Sequence, residues 1–286
     1  MMQNRIVIKV GSNVLTRSDG KLDITRLSAI VDQIAYLRQQ GYEIILVSSG
    51  AMASGRGEFA RPDQRTRLDH SLDSVEQRQL FSAIGQVKLI GLYYDLFREF
   101  GIHVGQVLTM KENFNAGEQY ENQRACMNVM LENGVLPIVN ENDTVAVTEL
   151  MFTDNDELSG LIAQMMQAET LILLSNIDGI FTTHPDDPKA ELIREVAPGR
   201  DLSEYIQPEK SAFGRGGMHS KYTTARKTSQ AGIRVIIANG ERENILIDII
   251  ERKDDTPHTE FIPQEFKEFS SSRSSVNTPH TDNANV

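Results

Sequence analysis

Short apolar runs separated by longer stretches of mixed polarity set the rhythm of the chain. "RIVIKV" (5–10), "EIILVSS" (43–49), "IHVGQVL" (102–108), "VLPIVN" (135–140), "TLILLSN" (170–176) and "IRVIIAN" (233–239) are rich in Val, Ile and Leu. Most are apolar at odd and even positions alike, the signature of a strand buried on both faces, as parallel strands are. Between the first two runs Leu27, Ile30, Val31, Ile34 and Leu37 recur at helical spacing, and Gly41 stops that helix just before the next strand. Further helices are expected over 76–100, 118–133, 155–168 and 219–231. Repeated strand, helix, strand order predicts an α/β fold with a parallel sheet covered on both sides, in which ligands gather beyond the carboxyl ends of the strands.

Two stretches break the rhythm. Residues 61–74, "RPDQRTRLDHSLDS", are polar and aperiodic and are expected to form an exposed loop. After about Ile250 the apolar pattern fades, and residues 252–286, ending "SSSRSSVNTPHTDNANV", have almost nothing to bury, so a disordered tail is expected there. No internal repeat is visible.

Composition narrows the chemistry. The formal net charge of −11 argues against general attraction to nucleic acid or anionic lipid, so a phosphate site has to be a local gathering of donors. The single cysteine, Cys126, cannot form an internal disulfide, and no Cys/His spacing resembles a zinc site. A reducing, cytoplasmic setting is the expectation. The first apolar run is short and contains Lys9, and no stretch approaches a membrane-spanning length.

The residues after each strand carry the candidate chemistry. Lys9 stands in the last turn of the first strand with Gly11 opening the loop, and a lysine there is either a solvated charge or a phosphate partner. "SSGAMASG" places Ser48, Ser49 and Gly50 ahead of a helix, either as a cap and tight turn or as backbone donors for a ligand. "NENDTVAV" crowds Asn140, Asn142 and Asp143 where polar turn residues are ordinary. In "TDNDELSGLIAQMMQ", Leu158, Leu161, Ile162, Met165 and Met166 form a helical stripe, so Thr153 to Asp156 lie at a helix N-terminus. One cap needs one or two polar groups, yet Asp154, Asn155 and Asp156 stand together there. Ser175 and Asn176 follow the fifth strand.

"FGRGGMHSKYTTARKTSQAGI" (213–233) sets Gly214, Gly216 and Gly217 around Arg215, directly before a helix. Bare backbone leading into unpaired helical N–H groups suits an anion, although a plain tight turn has the same look. A P-loop starting at Gly214 would need Gly at 219 and Ser or Thr after the lysine, where the chain has His219 and, after Lys221, Tyr222. Taken together, the strand ends and this segment suit a phosphorylated ligand beside a small polar one.

In order over residues 5–250, "IVIKVGSNVLT", "VSSGAMASG", "SAIGQVKLI", "GIHVGQVL", "LPIVNENDTV", "DNDELSGLIA", "LLSNIDGIF" and "GRGGMHSK" resemble the amino acid kinase family, and within it the glutamate 5-kinases (γ-glutamyl kinases). The resemblance implies a three-layer αβα sandwich around a mainly parallel open sheet, with the kinase domain over residues 1–251. It implies transfer of the ATP γ-phosphate to the side-chain carboxylate of L-glutamate, giving L-glutamyl 5-phosphate, the first step of proline biosynthesis. Carried over position by position, Lys9 and Lys221 would neutralise the transferring phosphoryl group, and Asp156 would orient them. Ser49, Gly50, Asp143 and Asn155, with Asp154 beside them, would hold glutamate. Lys9, Gly11, Ser175, Asn176 and the run Arg215, Gly216, Gly217, Met218, His219, Ser220 and Lys221 would contact the nucleotide. Mg²⁺ would be held mainly through the ATP phosphates, since the sequence shows no dense carboxylate cage and so no protein metal ligand is assigned.

The family further implies a homo-oligomer, feedback inhibition by proline and a downstream glutamyl phosphate reductase. Many members also carry a C-terminal RNA-binding-like domain, which this chain is expected to lack. The chain departs from the pattern at Asn176, where Asp is frequent, at Arg215 and Ser220, where Thr is common, and at His219. Two other readings share these residues: a family enzyme acting on acetylglutamate, aspartate, carbamate or a nucleoside monophosphate, and a non-catalytic amino-acid sensor. The "NEND" and "DND" segments favour an acceptor with a free amine, and the presence of Lys9, Asp156 and Lys221 together favours catalysis.

Overall fold

The computed structural model describes residues 4–59, 72–146, 152, 154–206 and 217–265. Most of the loop expected over 61–74, as well as Thr153, Arg215, Gly216 and the end of the chain past 265, lies outside the described residues. Strand β1 (Arg5–Val10) is followed by a single turn α1 (Ser12–Leu15), α2 (Ile24–Gln39), β2 (Glu43–Ser48), α3 (Ala51–Phe59) and α4 (Ser74–Arg98). Then come β3 (Val104–Thr109), α5 (Glu118–Glu132), β4 (Leu136–Glu141), α6 (Asn155–Met165) and β5 (Thr170–Ser175). The two-residue β6 (Glu195–Val196), α7 (Met218–Gln230), β7 (Arg234–Asn239), α8 (Ile245–Ile250) and β8 (His258–Phe261) complete the series. All six strands read from the apolar runs are present.

One sheet joins the strands in the order β3-β4-β2-β1-β5-β7-β8-β6. Its pairings are parallel except β7 with β8. The strands formed early in the chain lie on one side of β1 and those formed after α6 on the other. The sheet therefore changes its direction of growth at β1, where a crevice opens beyond the carboxyl ends.

Strand alternation sorts the core into two halves. Ile6, Ile8 and Val10 of β1 pack with Leu27, Ile30 and Ile34 of α2 and Leu89, Tyr93 and Phe97 of α4. Val7 faces the other way, with Met127 of α5, Leu158 and Ile162 of α6 and Ala225 of α7. These are the two outer helical layers of an αβα sandwich. Asp23 caps α2 by accepting from Arg26 N at 3.0 Å, and Asp73 with Glu76 forms a capping box on α4.

The boundary expected at residue 251 needs correction. β8 pairs antiparallel with β7 through Val235–Phe261 and Ile237–Thr259, so residues 258–261 belong to the sheet. The run "HTEF" buries Thr259 and Phe261 while His258 and Glu260 stay half-buried, an alternation too short to stand out in the sequence.

Candidate active site

Lys9 follows Val7 by two residues on β1, so its side chain leaves the sheet on the α6 and α7 side. There its Nζ lies 2.5 Å from Asp156 Oδ1, in the first turn of α6. Lys221, in the first turn of α7, places Nζ 3.0 Å from Asp156 Oδ2. The two lysines thus share one carboxylate, each on its own oxygen. All three groups are buried: Asp156 is fully so, Lys9 is 4% exposed and Lys221 6%.

Burial pushes the Lys9 ammonium below the usual lysine range, with Lys221 adding to the push and Asp156 opposing it. Burial alone would raise Asp156, but the two ammonium groups outweigh it and hold the carboxyl below its ordinary value. Asp154 behaves oppositely: burial and the neighbouring Asp156 carboxylate raise it. Asp154 is also the cap of α6, accepting from Asp156 N at 2.9 Å and Glu157 N at 3.1 Å. With Asp154 as the cap, Asp156 is left to bind the lysines.

Helix packing brings Lys221 in. Gly160 of α6 faces Thr224 and Thr228 of α7, and a Cβ there would stand 2.9 Å and 2.8 Å from their side chains. A bare glycine lets α7 approach closely enough for its first turn to meet that of α6. Beside Lys9, Gly11 keeps a second gap clear, since a Cβ on it would lie 3.2 Å from Leu174 O and 3.4 Å from Lys9 Nζ.

These groups open onto a cavity of about 410 Å³ at the switch point of the sheet. Lys9, Gly11, Ser49, Gly50, Asp143, Asp154, Asn155, Ser175 and Lys221 all line it. Asn155 Nδ2 donates to Ser49 Oγ and to Asn140 Oδ1, each at 2.9 Å, and Asn140 Nδ2 donates to Gln86 Oε1 at 2.9 Å. This neutral chain links the ends of β2 and β4 to α6 and α4. Gly50 has φ of +104°, a backbone shape that suits glycine and turns the chain from β2 into α3.

Asn176, Met218, His219 and Ser220 are not among the residues lining this cavity. Asn176 is exposed next to Ser175, while Gly217 caps α7 and Met218, His219 and Ser220 form its first turn. Arg215 and Gly216 lie outside the described residues. Beside Asn176, Asp178 accepts from Arg242 Nε at 2.7 Å and NH2 at 2.6 Å, and from Asn239 at 3.1 Å. That ion pair ties the end of β5 to the end of β7.

A sequence model of the amino acid kinase family matches residues 4–239. The chain belongs to the amino acid kinase family. Within the family it is similar to the glutamate 5-kinase of Bacteroides thetaiotaomicron, with 64% identity over 259 residues, covering 91% of this chain and 70% of that protein. The glutamate 5-kinase of Chlorobaculum tepidum is 49% identical over 243 residues, covering 85% of this chain and 65% of that protein. The chain thus spans about two thirds of the length of these relatives.

Among solved structures, the carbamate kinase from Giardia lamblia bound to AMP-PNP superposes with a TM-score of 0.64 at 15% identity, covering 92% of this chain and 99% of that one. The UMP kinase from Ureaplasma parvum gives 0.60 at 16% identity, covering 92% and 100%. These two likenesses carry the amino acid kinase fold alone.

Arg78 and Glu141 also line this cavity and escaped the reading of the sequence as site residues. Arg78 had a legible signal. It falls at helical spacing with Ser82, Gly85, Leu89 and Tyr93 on the buried face of α4, where an arginine is out of character.

Proposed function

We propose that the chain transfers the γ-phosphoryl group of ATP to the side-chain carboxylate of L-glutamate, forming L-glutamyl 5-phosphate at the head of proline biosynthesis. The observation that carries this reading is Lys9 and Lys221 sharing Asp156 at the mouth of β1, in a chain 64% identical to a glutamate 5-kinase.

The acceptor carboxylate has a reference pKa of about 4.3, so it is ionised at neutral pH and needs no general base. Charge is the obstacle. Two like unit charges about 4 Å apart repel by roughly 4 kcal/mol at an effective dielectric of 20, and an acceptor carboxylate meets several such charges on the donor phosphates. When bound, ATP would supply the phosphoryl group, and Mg²⁺ held mainly through ATP would neutralise part of the phosphate charge. The protein contributes a buried triad of two cations and one anion, net positive by one charge and preset in geometry. Asp156, held ionised, aims both ammonium groups and takes no proton.

Ser49, Gly50, Asn155 and Asp143 would receive the acceptor, Asp154 would fix the start of α6 beneath it, and Gly11, Ser175 and the first turn of α7 would receive the nucleotide. Asn176 and Arg215 would extend the nucleotide side. The resemblance also supports a cytoplasmic setting, homo-oligomerisation, proline as a feedback inhibitor and a reductase that consumes the acyl phosphate. Among the described residues, no helix is long and apolar enough to cross a membrane.

Incubation of the chain with ATP, Mg²⁺, glutamate and hydroxylamine should yield ADP and the γ-glutamyl hydroxamate that traps an acyl phosphate. Absence of both products would favour the amino-acid sensor. Phosphorylation of N-acetylglutamate at a comparable rate would overturn the choice of acceptor.

A further inference from the structure

The hydrogen bonds that join Gln86, Asn140, Asn155 and Ser49 run in one direction, and that direction is set away from the cavity. An amide side chain carries two N–H donors at one end and an acceptor oxygen at the other, so its partners decide which end faces where. Asn140 is 3% exposed, and its partners leave one arrangement. Its Oδ1 accepts from the backbone N–H of Glu141 and from Asn155 Nδ2, both at 2.9 Å, while its Nδ2 donates to Gln86 Oε1 at 2.9 Å. A backbone N–H donates in every arrangement, so it keeps the oxygen on its side, and Gln86 Oε1 keeps the nitrogen on the other. Asn155 inherits the result. Its Nδ2 spends both N–H groups on Asn140 Oδ1 and Ser49 Oγ, each at 2.9 Å, which leaves Oδ1 as the end it offers to a ligand. Ser49 Oγ accepts that bond, so its O–H is left to donate.

We propose that Gln86 is a positioning residue that never touches substrate: through Asn140 it locks the polarity of this amide chain, so that the cavity presents Asn155 Oδ1 as an acceptor and the Ser49 hydroxyl as a donor. Ser49, Asn140 and Asn155 line the cavity, whereas Gln86 is not among its lining residues. The inference rests on the glutamate-phosphorylating reading and deepens it. An amino-acid acceptor brings N–H donors on its ammonium and acceptor oxygens on its carboxylates, which match a fixed acceptor beside a fixed donor. An Asn155 turned end for end would point N–H groups at the ammonium instead.

Packing holds Gln86 where this role needs it. The preceding Gly85 lets α4 lie so close to α3 that a Cβ on it would overlap Ala51 O, which fixes α4 at the level of the amide chain. Without an acceptor at position 86, Asn140 Nδ2 would be buried and unpaired. A buried donor without a partner is costly, so the amide would gain by turning towards another acceptor and would pull Asn155 out of register. Asn155 meets the acceptor away from the phosphoryl-handling Lys9 and Lys221, so the loss falls on binding of the acceptor and not on the transfer step.

The test compares Gln86→Leu, Gln86→Met and Gln86→Glu in the full chain, reading kcat, KM for glutamate, KM for ATP and the thermal midpoint. Leucine and methionine remove the acceptor oxygen and pack differently, whereas glutamate keeps an oxygen facing Asn140 Nδ2. Gln86→Leu and Gln86→Met should each raise the glutamate KM about 5- to 50-fold, with kcat and the ATP KM within a few-fold of wild type. Gln86→Glu should hold the glutamate KM within a few-fold. A glutamate KM unchanged in the leucine and methionine variants overturns the inference. So does a glutamate KM that follows the thermal midpoint across the three variants instead of the presence of an oxygen at position 86, since that pattern marks a purely structural side chain. If one of the two apolar variants fails to fold, the other carries the comparison with Gln86→Glu. Hydroxamate formation by the wild-type chain is read separately: its absence removes the underlying reading, whereas its presence with an indifferent Gln86 removes only this positioning role.

Discussion

Lys9 and Lys221 lie far apart in the chain, yet each takes one oxygen of Asp156. The shared carboxylate keeps two buried ammonium groups from repelling one another apart and leaves the three groups together with one net positive charge. Replacing Lys9 or Lys221 by Met keeps most of the volume and removes the charge. Either change should lower kcat about 10²- to 10³-fold with little change in glutamate KM, because the lost attraction grows as charge develops in the transition state. Steady-state kinetics in both substrates checks this, and a loss confined to glutamate KM would contradict the role. At this scale the sequence showed Lys9, Asp156 and Lys221 only as members of a pattern, since their meeting depends on contacts between residues far apart in the chain. Arg78 was passed over among the polar residues of "SVEQRQ" although its spacing puts it on the buried face of α4, and its partner Asp143 comes from the distant loop after β4.

Elements deliver these side chains through close approach. Gly160 lets α7 settle on α6, and Gly55 and Gly85 do the same for α3 and α4, where a Cβ on Gly85 would overlap Ala51 O. Since α3 begins directly after Ser49 and Gly50, the second crossing also holds the end of β2 in place. Gly160→Ala should destabilise the fold by about 1–3 kcal/mol through overpacking and lower kcat by moving Lys221 away from Asp156. Thermal denaturation together with kcat measures both effects; unchanged values in both would show that α7 yields without cost. The long helices and buried strands were readable because their periods persist over many residues. α8, β6 and β8 were not, since six, two and four residues hold too little period to separate them from loop. Their assignment comes from what they pack against: Gln33 Oε1 of α2 accepts from Leu246 N at 2.8 Å, and β8 lies between β7 and β6.

Across the whole molecule, the late strands are tied together by charge as well as by backbone pairing. Arg234 of β7 grips Glu260 of β8 through Nε at 2.6 Å and NH2 at 2.5 Å. Burial acts to raise the Glu260 carboxyl, but the hydrogen bonds from Arg234 outweigh it and bring it from 4.5 to about 2. A depressed carboxyl contributes stability above its unfolded value and loses it as pH falls through the folded one, here between 4.5 and about 2. Glu260→Gln should therefore be less stable than wild type at neutral pH, with the gap closing over that acid range. Denaturant titrations at several pH values measure it, and a gap independent of pH would refute the linkage. The order of the strands has a wider consequence. With the early half of the chain on one flank of β1 and the late half on the other, two separate pieces of sequence meet at a single seam. On the proposed function, Ser49, Gly50 and Asp143 on the acceptor side come from the first piece and Asn155 from the second, while Gly11 on the donor side comes from the first and Ser175 and Lys221 from the second, so a change of acceptor would draw on both flanks.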